Sequence, residues 1–541
     1  MIYLHVPFCR SFCTYCGFHS RICSGAESPQ VQNFIRSVCA EAAARRAEIA
    51  AARAASVHTL YLGGGTPSLL SLDQLAAIID AVTAACRGDN PPVIPSESLP
   101  VIPSEAKESA PVIPSEAKES IFEEFTMEVN PDDIVAGGVG YARGLRALGV
   151  NRISMGVQSW DDGILRWMNR RHDAAGARRA FAALREAGFD NISLDLIFGL
   201  SQLSDAVWAE TLRQTVALRP EHISAYQLSV DPDSALDGLV RAGRYREAPD
   251  TVAARQYALL CETLAAAGYV HYEVSNFALP GREAIHNSAY WRRLPYVGLG
   301  PAAHSFDGSR RSWNSTAPDW NGPDSAPGGH NSAHNVSSAP DSAPAGHNSA
   351  RNVSSAPESA PGGHNSARNV SSGPDSAPGG HNSARNVSSS PDSAPGRHNS
   401  AQNVSSALDS APAGHNSAQN VSSAPDSAPG GSVVDAEAGE TPQRGKRHFA
   451  GGSETLTAAE AREEAIMLGL RTAAGIPAAL LADLSAGIPD APPAASSSVF
   501  ALAPAAERLL AEGALVRLPG GRLRIPESRW FISDDIISSL L

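Results

Sequence analysis

The sequence predicts an α/β fold, a parallel sheet flanked by helices, followed by a small helical module. Three observations carry this. Short β-branched runs alternate with amphipathic helical stretches through the first 230 residues. The chemically distinctive residues gather just after the first four runs, where α/β sheets hold their ligands. Two low-complexity segments interrupt the pattern without supplying a buried face.

The first run is IYLHVPF at 2–8, followed by a helical pattern over about 30–53. VHTLYLGGG at 57–65 is the second run, with a helix over 71–86. FEEFTMEVNP at 122–131 is the third, with a helix over 134–148. RISMGVQS at 152–159 follows, then helical stretches at 161–168 and 173–187. NISLDLIFGL at 191–200, a helix at 204–218 and HISAYQLSV at 222–230 complete six strands. Helices such as DAAGARRAFAALREAGF place Ala, Phe and Leu on one face and Arg or Glu on the other. Repeated βα units imply right-handed crossovers, which an open doubly wound sheet and a barrel both satisfy. Past 450, helical patterns at 457–474, 502–513 and 532–540 surround RLPGGRLRI, a tight ribbon around Gly520–Gly521. Helices plus a wing suggest a winged-helix-like module. It lacks a concentrated basic helix, so a structural or docking role is expected.

Residues 91–120 carry VIPSE three times, and from Pro323 a unit close to PDSAPGGHNSARNVSSA recurs every 17 residues. Each unit offers one valine and a few alanines, too little to offset backbone ordering at about 1–2 kcal/mol per residue. The segment 321–447 is therefore expected to be a disordered insert, and one histidine per unit gives no preformed metal site. The expected domains are 1–90 with 121–315, and 450–541. The net charge of -13 argues against a general nucleic-acid binder. MIYLHVPFC has no basic n-region and no run reaches eighteen apolar residues, so neither a signal peptide nor stable membrane insertion is expected. Seven cysteines, an odd number crowded toward one end, do not look like a secreted disulfide framework. A cytoplasmic location is expected.

FCRSFCTYCGFHS places Cys9, Cys13 and Cys16 in one loop after the first strand. Three readings compete: a zinc site with His19 as fourth ligand, a [4Fe-4S] cluster with one open iron, and a redox thiol set. Zinc accounts for the cysteines alone. An open iron also accounts for Gly63, Gly64, Gly65, Thr66 and Glu128, because a ligand on that iron needs a cradle.

CxxxCxxC with Tyr15 before the last cysteine resembles the signature of the radical S-adenosylmethionine (SAM) proteins. YLHVPFC, YLGGGTPS, EVNP, ISMGVQS, NRRH, DLIFGL, YEVSNFA and HNSAYW narrow the resemblance. They are similar to the oxygen-independent coproporphyrinogen III oxidase group and, within it, the HemW haem chaperones. The resemblance spans about 1–315 and 450–541. It implies a partial (β/α)6 TIM-like barrel with a small C-terminal helical, winged-helix-like domain. It implies a [4Fe-4S] cluster on Cys9, Cys13 and Cys16, and SAM against Tyr3, Tyr15, Gly65, Thr66, Glu128, Gln158, Arg170 and Asp195. Each has a plainer alternative: Tyr3 as core, Asp195 as a helix cap, Arg170 paired with Asp161 or Asp162.

The oxidases of the group carry a fourth cysteine two positions past the triad, where this chain has Phe18, and a longer N-terminal arm. Both departures favour the chaperone over the oxidase, which remains the alternative as an enzyme. FGLS at 198–201 replaces the group's FGLP. HNSAYW implies haem binding through His286, Tyr290 and Trp291, with His172, His271 and His304 as further candidate ligands and His5 as structural. The implied partners are haem and a haem-acceptor protein, respiratory by the family pattern; a homodimer is compatible.

Overall fold

The computed structural model describes residues 1–89, 120–232, 234–316, 350–353, 418–421, 449–482 and 502–541. All six expected strands are present: β1 Ile2–Val6, β2 Thr59–Gly64, β3 Glu124–Val129, β4 Arg152–Gln158, β5 Ile192–Phe198 and β6 His222–Gln227. Each pairs in parallel with the next, in chain order. That order settles the alternative left open by the sequence. A doubly wound sheet reverses direction at a switch point, whereas one-way winding is that of a barrel. The sheet stays open. An antiparallel hairpin, β7 Val270–Glu273 and β8 Asn276–Ala278, extends it beyond β6, and β9 Val297–Leu299 lies parallel on the free edge of β1.

The helices follow the expected pattern with two breaks, one at Arg45 and one inside the helix after β3, where Gly138 has φ 62°. α1 Pro29–Ala44 and α2 Arg46–Ala55 replace the single helix expected over 30–53. No Gly or Pro marks the break at Arg45. Its guanidinium reaches out of the helix to Glu41 (2.9 Å), the Gly298 carbonyl (2.7 Å) and Ser305 Oγ (2.9 Å). α3 Leu72–Arg87 begins with a Ser71–Gln74 capping box and stops at left-handed Gly88. α4 Pro131–Ala147 starts three residues earlier than expected, because Pro131 suits the first helical turn. α5 Asp162–Trp167, α6 Ala174–Glu186 and α7 Asp205–Leu218 are capped by Asp161, Asp173 and Ser204.

Strand alternation divides the barrel wall into two chemistries. One set, including Leu4, Leu60, Leu62, Phe125, Met127, Ile153, Met155 and Leu194, joins the apolar core. The alternate set is polar and buried: Tyr3, His5, Thr59, Tyr61, Glu124, Thr126, Arg152, Ser154, Ser193, Asp195, His222 and Ser224. Buried polar groups on this scale must satisfy one another or a ligand.

After α8 Ala235–Arg241, α9 Asp250–Ala266 and α10 Ile285–Trp291, strands β10 His304–Phe306, β11 Arg310–Asn314 and β12 Ala450–Thr455 form an antiparallel sheet. The C-terminal part has α11 Ala458–Leu470, α12 Pro504–Ala511 and α13 Ser533–Ser538. With them stand three short strands, β13 Ile476–Pro477, β14 Val516–Arg517 and β15 Arg522–Arg524. This is the helix-and-wing pattern read from the sequence. It shares the barrel's core: Trp530 meets the His271 ring edge-on at 4.3 Å, and Glu464 of α11 binds Arg293 at 2.7 Å. The low-complexity call-outs at 91–120 and 321–447 lie outside the described residues, apart from Ser120 and two four-residue strands. Those strands, Ala350–Val353 and Ala418–Val421, occupy equivalent positions of two repeat units and pair in parallel.

Candidate functional site

The loop after β1 is folded back on itself. Phe8–Cys9 pairs with Arg21–Ile22, and Thr14 and Phe12 are tied to the end of α5. Thr14 N donates to Met168 O (3.0 Å), Thr14 Oγ1 to Trp167 O (2.8 Å), and Asn169 Nδ2 to Phe12 O (2.6 Å). The loop brings Cys9, Cys13 and Cys16 to one cleft at the C-terminal ends of the strands.

Four separate sequence motifs meet there in a hydrogen-bonded arc. Thr66 Oγ1 donates to Cys9 Sγ (3.5 Å) and accepts from Asn130 Nδ2 (3.1 Å). Asn130 Oδ1 accepts from Arg170 Nη2 (2.7 Å), which also binds Gly156 O (2.7 Å), while Arg170 Nη1 donates to Cys13 Sγ (3.3 Å). A guanidinium and a hydroxyl aimed at sulfur favour thiolates once a soft metal takes the protons. Burial raises the Cys9 and Cys16 thiols above their ordinary range, the neighbouring Cys13 adding to the rise at Cys16, while Thr66 and Arg170 pull against it at Cys9. Among the described residues no three His, Cys, Asp or Glu side chains are placed to share one metal ion. A cubane cluster asks for something different, each thiolate reaching its own iron.

The cleft floor fits an organic ligand. Gly65 N donates to Val6 O at 2.7 Å, and a Cβ at Gly65 would stand 2.7–2.8 Å from three backbone atoms of Val6 and Phe8. Gly64 has φ +103°, and a Cβ there would meet the His5 ring at 2.5 Å. Glu128 accepts from Tyr61 OH (2.8 Å) and Gly64 N (3.1 Å). Burial pushes its carboxyl up to about 8, and the nearby Asp195 adds to the rise. Asp195 accepts from Ser154 Oγ through both oxygens (3.1 and 3.0 Å) and from Ser193 Oγ (3.3 Å); burial raises it too. Gln158 sits at a bulge with φ 65°, a costly conformation for a residue other than glycine. Its Oε1 and the Arg170 Nε are buried with no hydrogen-bond partner among the described residues. These orphaned atoms and the glycine cradle suit a small polar ligand held beside a metal cluster.

The structure therefore gathers Cys9, Cys13, Cys16, Tyr15, Gly65, Thr66, Glu128, Gln158, Arg170 and Asp195 around one cleft. Tyr3 is not part of its lining: it is buried on the polar face of the sheet beside the cleft, its OH 3.1 Å from His5 Nδ1 and its ring 6.0 Å from that of Tyr61. The sequence reading missed Asn130 and Gly156, although both lie inside motifs it used. Their signal was proximity to Glu128 and Gln158.

The family model described as the radical SAM superfamily matches residues 3–215. The heme chaperone HemW of Bacillus subtilis is 32% identical over 312 residues, covering 58% of this chain and 72% of that protein. HemW of Escherichia coli is 33% identical over 308 residues, covering 56% and 69%. This chain belongs to the HemW family. In solved structures, E. coli coproporphyrinogen III oxidase (HemN) aligns with 59% of this chain and 67% of its own, at 22% identity and a TM-score of 0.43.

The HNSAYW segment of this HemW family member, where haem ligation by His286 is expected, lies apart from the cleft. It forms α10 at the opposite end of the barrel from the cysteines, beside the first residues of β2 and β3. His286 is fully buried, and both ring nitrogens are engaged: Nδ1 with Thr59 Oγ1 (2.7 Å) and Nε2 with Tyr290 OH (3.2 Å). Both oxygens of Glu124 accept the first amides of the helix, Ile285 N (2.8 Å) and His286 N (2.9 Å). Tyr290 is buried edge-on against His286 and Tyr296, and Trp291 is half-buried. As folded, the segment plugs the barrel and offers no face to a porphyrin. Of the other candidates, His172 is buried with Nε2 3.2 Å from Val157 O, and His271 is stacked on Phe277 at 4.0 Å. His304 lies beside Trp313, its imidazole pushed down to about 4 by burial, Arg311 and His5.

Proposed function

We propose that this chain is a haem chaperone that carries a SAM-bound [4Fe-4S] cluster, binds haem and passes it to an acceptor protein. The observation that carries the reading is the Cys9–Thr66–Asn130–Arg170–Cys13 arc on the same cleft as Glu128, Gln158 and Asp195. Cys9, Cys13 and Cys16 would hold the cluster. When bound, the cluster supplies an open iron and an electron for the sulfonium of SAM. Arg170 orients Cys13 and joins the loop to β4. Gly64 and Gly65 let β2 close on β1 and the cysteine loop beside the ligand, and the two floor carboxyls would meet its cationic and hydroxyl groups. Phe18, which lines the cleft where the oxidases have their fourth cysteine, supports the chaperone over the oxidase. The names of the HemW relatives support it too.

All seven cysteines are free, which suits a reducing compartment, and we place the protein in the cytoplasm. We also read 321–447 as an insert in the β11–β12 hairpin, since Asn314 pairs with Ala450 and Ser315 N donates to Phe449 O at 2.9 Å. The acceptor is proposed to be a respiratory haem protein.

The test is anaerobic purification, reconstitution with iron and sulfide, and haem titration followed by absorption. The same sample is assayed for coproporphyrinogen III turnover with SAM and a reductant. A stoichiometric haem spectrum without decarboxylation is expected. Rapid turnover without a stable haem complex would make the chain an oxidase.

A further inference from the structure

Asn130 stands at the N-cap of α4, yet its side chain makes no capping hydrogen bond. An asparagine in that position ordinarily turns its carbonyl onto the first amides of its own helix. Here the amide group is turned into the cleft, between Arg170 and Thr66. Its main chain is fixed, because Asn130 N donates to Ser68 Oγ (3.1 Å) and the Ser68 hydroxyl donates to Asp133 Oδ2 (2.8 Å). Arg170 is fixed as well, with Nη2 on Gly156 O at 2.7 Å. A Cβ on Gly156 would crowd that nitrogen at 3.1 Å.

The donors and acceptors of the arc run in one direction only. A guanidinium has no acceptor, so the 2.7 Å contact from Arg170 Nη2 falls on the amide oxygen of Asn130. The amide nitrogen is therefore the atom 3.1 Å from Thr66 Oγ1, and Thr66 accepts there. A hydroxyl has a single hydrogen. With its oxygen accepting from Asn130, that hydrogen points to Cys9 Sγ, 3.5 Å away. At the other end of the arc, Arg170 Nη1 donates to Cys13 Sγ at 3.3 Å. One amide thus aligns donors onto two of the three sulfurs.

We propose that Asn130 is a positioning residue for the cluster: it fixes the Thr66 hydroxyl as a donor to Cys9 and the Arg170 guanidinium as a donor to Cys13, and so raises the cluster's reduction potential. The inference rests on the reading of the three cysteines as cluster ligands. One-electron reduction by dithionite adds a negative charge that is shared with the thiolate sulfurs. Donors on those sulfurs stabilise the reduced form more than the oxidised one. An aspartate at position 130 reverses the orientation of Thr66. Its ionised oxygens only accept, so the Thr66 hydrogen turns to the carboxylate and Cys9 loses its donor, while Arg170 keeps its partner.

The experiment is a dithionite titration, with redox mediators, of the reconstituted full-length chain without SAM, followed by the EPR signal of the reduced cluster. Thr66→Val replaces the hydroxyl by a methyl and should shift the midpoint potential to a more negative value. Thr66→Ser keeps the hydroxyl and should not. Asn130→Asp should shift the potential in the same direction as Thr66→Val. That shift should shrink in the Thr66→Val background, where no hydrogen is left to withdraw. A full-sized shift in both backgrounds means that the new carboxylate acts by charge alone, and overturns the inference. So does a Thr66→Val cluster at the wild-type potential. Asn130→Ala and Thr66→Ala form a second cycle should either of the first variants fail to load, and strict additivity there overturns the inference as well. A merely structural asparagine would change stability and iron content without moving the potential. Wild-type protein that takes up no iron and gives no signal of a reduced cluster overturns the reading of the cysteines, and the inference with it. A loaded cluster whose potential is unmoved by the variants overturns the inference alone.

Discussion

Gly65→Ala tests whether the cleft depends on close backbone approach. The added methyl would stand 2.7 Å from Phe8 O, 2.8 Å from Phe8 N and 2.8 Å from Val6 O. All three are backbone atoms of β1 and the cysteine loop, so no side chain can swing aside. Reaching ordinary contact at about 3.4 Å requires the strands to part by roughly half an ångström, against the 2.7 Å hydrogen bond from Gly65 N to Val6 O. Forcing a methyl into a packed site costs about 1–3 kcal/mol. The displacement falls beside Cys9, so cluster loading and SAM affinity should drop together with stability. Gly140→Ala is the control: it lies in α4 with open space around it and should be neutral or slightly stabilising. The assay is denaturant unfolding of the unloaded chain, with iron content and SAM binding on reconstituted samples. If Gly65→Ala unfolds at the wild-type midpoint and binds SAM normally, the close-approach argument is wrong.

Glu128 makes stability depend on pH. With its carboxyl near 8 in the folded chain and ordinary when unfolded, the native state keeps a proton that the unfolded chain loses from about pH 4.5 upward. Stability should therefore fall as pH rises toward 8, by on the order of a few kcal/mol. Glu128→Gln should flatten that slope in urea unfolding at pH 5.5 and 8.5, and an equal slope in both proteins would refute it. His286→Ala removes a buried ring and leaves Thr59 and Tyr290 without their partner. It should cost about 2–4 kcal/mol in thermal or urea unfolding while haem bound per folded molecule stays unchanged. Unchanged stability with haem lost would return His286 to the ligand role. Replacing 317–448 by a four-residue turn should leave SAM binding intact. It should raise the unfolding midpoint, since shortening the connection from about 130 residues to about four lowers the closure entropy by roughly 3 kcal/mol. A lower midpoint would refute the reading of that segment as an insert.

The six barrel strands were legible because each is a short β-branched run with turn signals at its ends. Their order needed the register, because βα alternation is common to barrels and doubly wound sheets. β9 was not legible: Val297–Leu299 is three residues long and pairs with β1 from almost 300 residues away. The break at Arg45 was hidden for a similar reason, its causes being Gly298 and Ser305, distant in sequence. At the cleft, the cysteines and glycines declared themselves through spacing. Asn130 did not, because an asparagine before a helix reads equally well as a cap, yet here its side chain joins Thr66 to Arg170. His286 is the converse case, because its motif was legible and its packing was not. A histidine beside two aromatics has the composition of a haem pocket, and only burial and the bonds on both ring nitrogens reveal a plug.

The plug and the cleft nevertheless depend on each other. Asp195 of the floor accepts from Ser193 at 3.3 Å, Ser193 meets His222 Nδ1 at 2.8 Å, and His222 Nε2 meets Tyr272 OH at 2.7 Å. Tyr272 OH accepts from Ala284 N at 3.4 Å, immediately before α10. The interior is thus one polar chain from the ligand floor to the HNSAYW helix. Each member is withdrawn from water, so the chain is stable only while both ends are supplied with partners. Glu124 and Thr59, at the first residues of their strands, would face solvent or an empty barrel mouth without α10. A motif far from the cysteines can therefore accompany them without touching their ligand. It closes the end of the barrel that the cleft leaves open, and the polar floor of the cleft is held in shape from below.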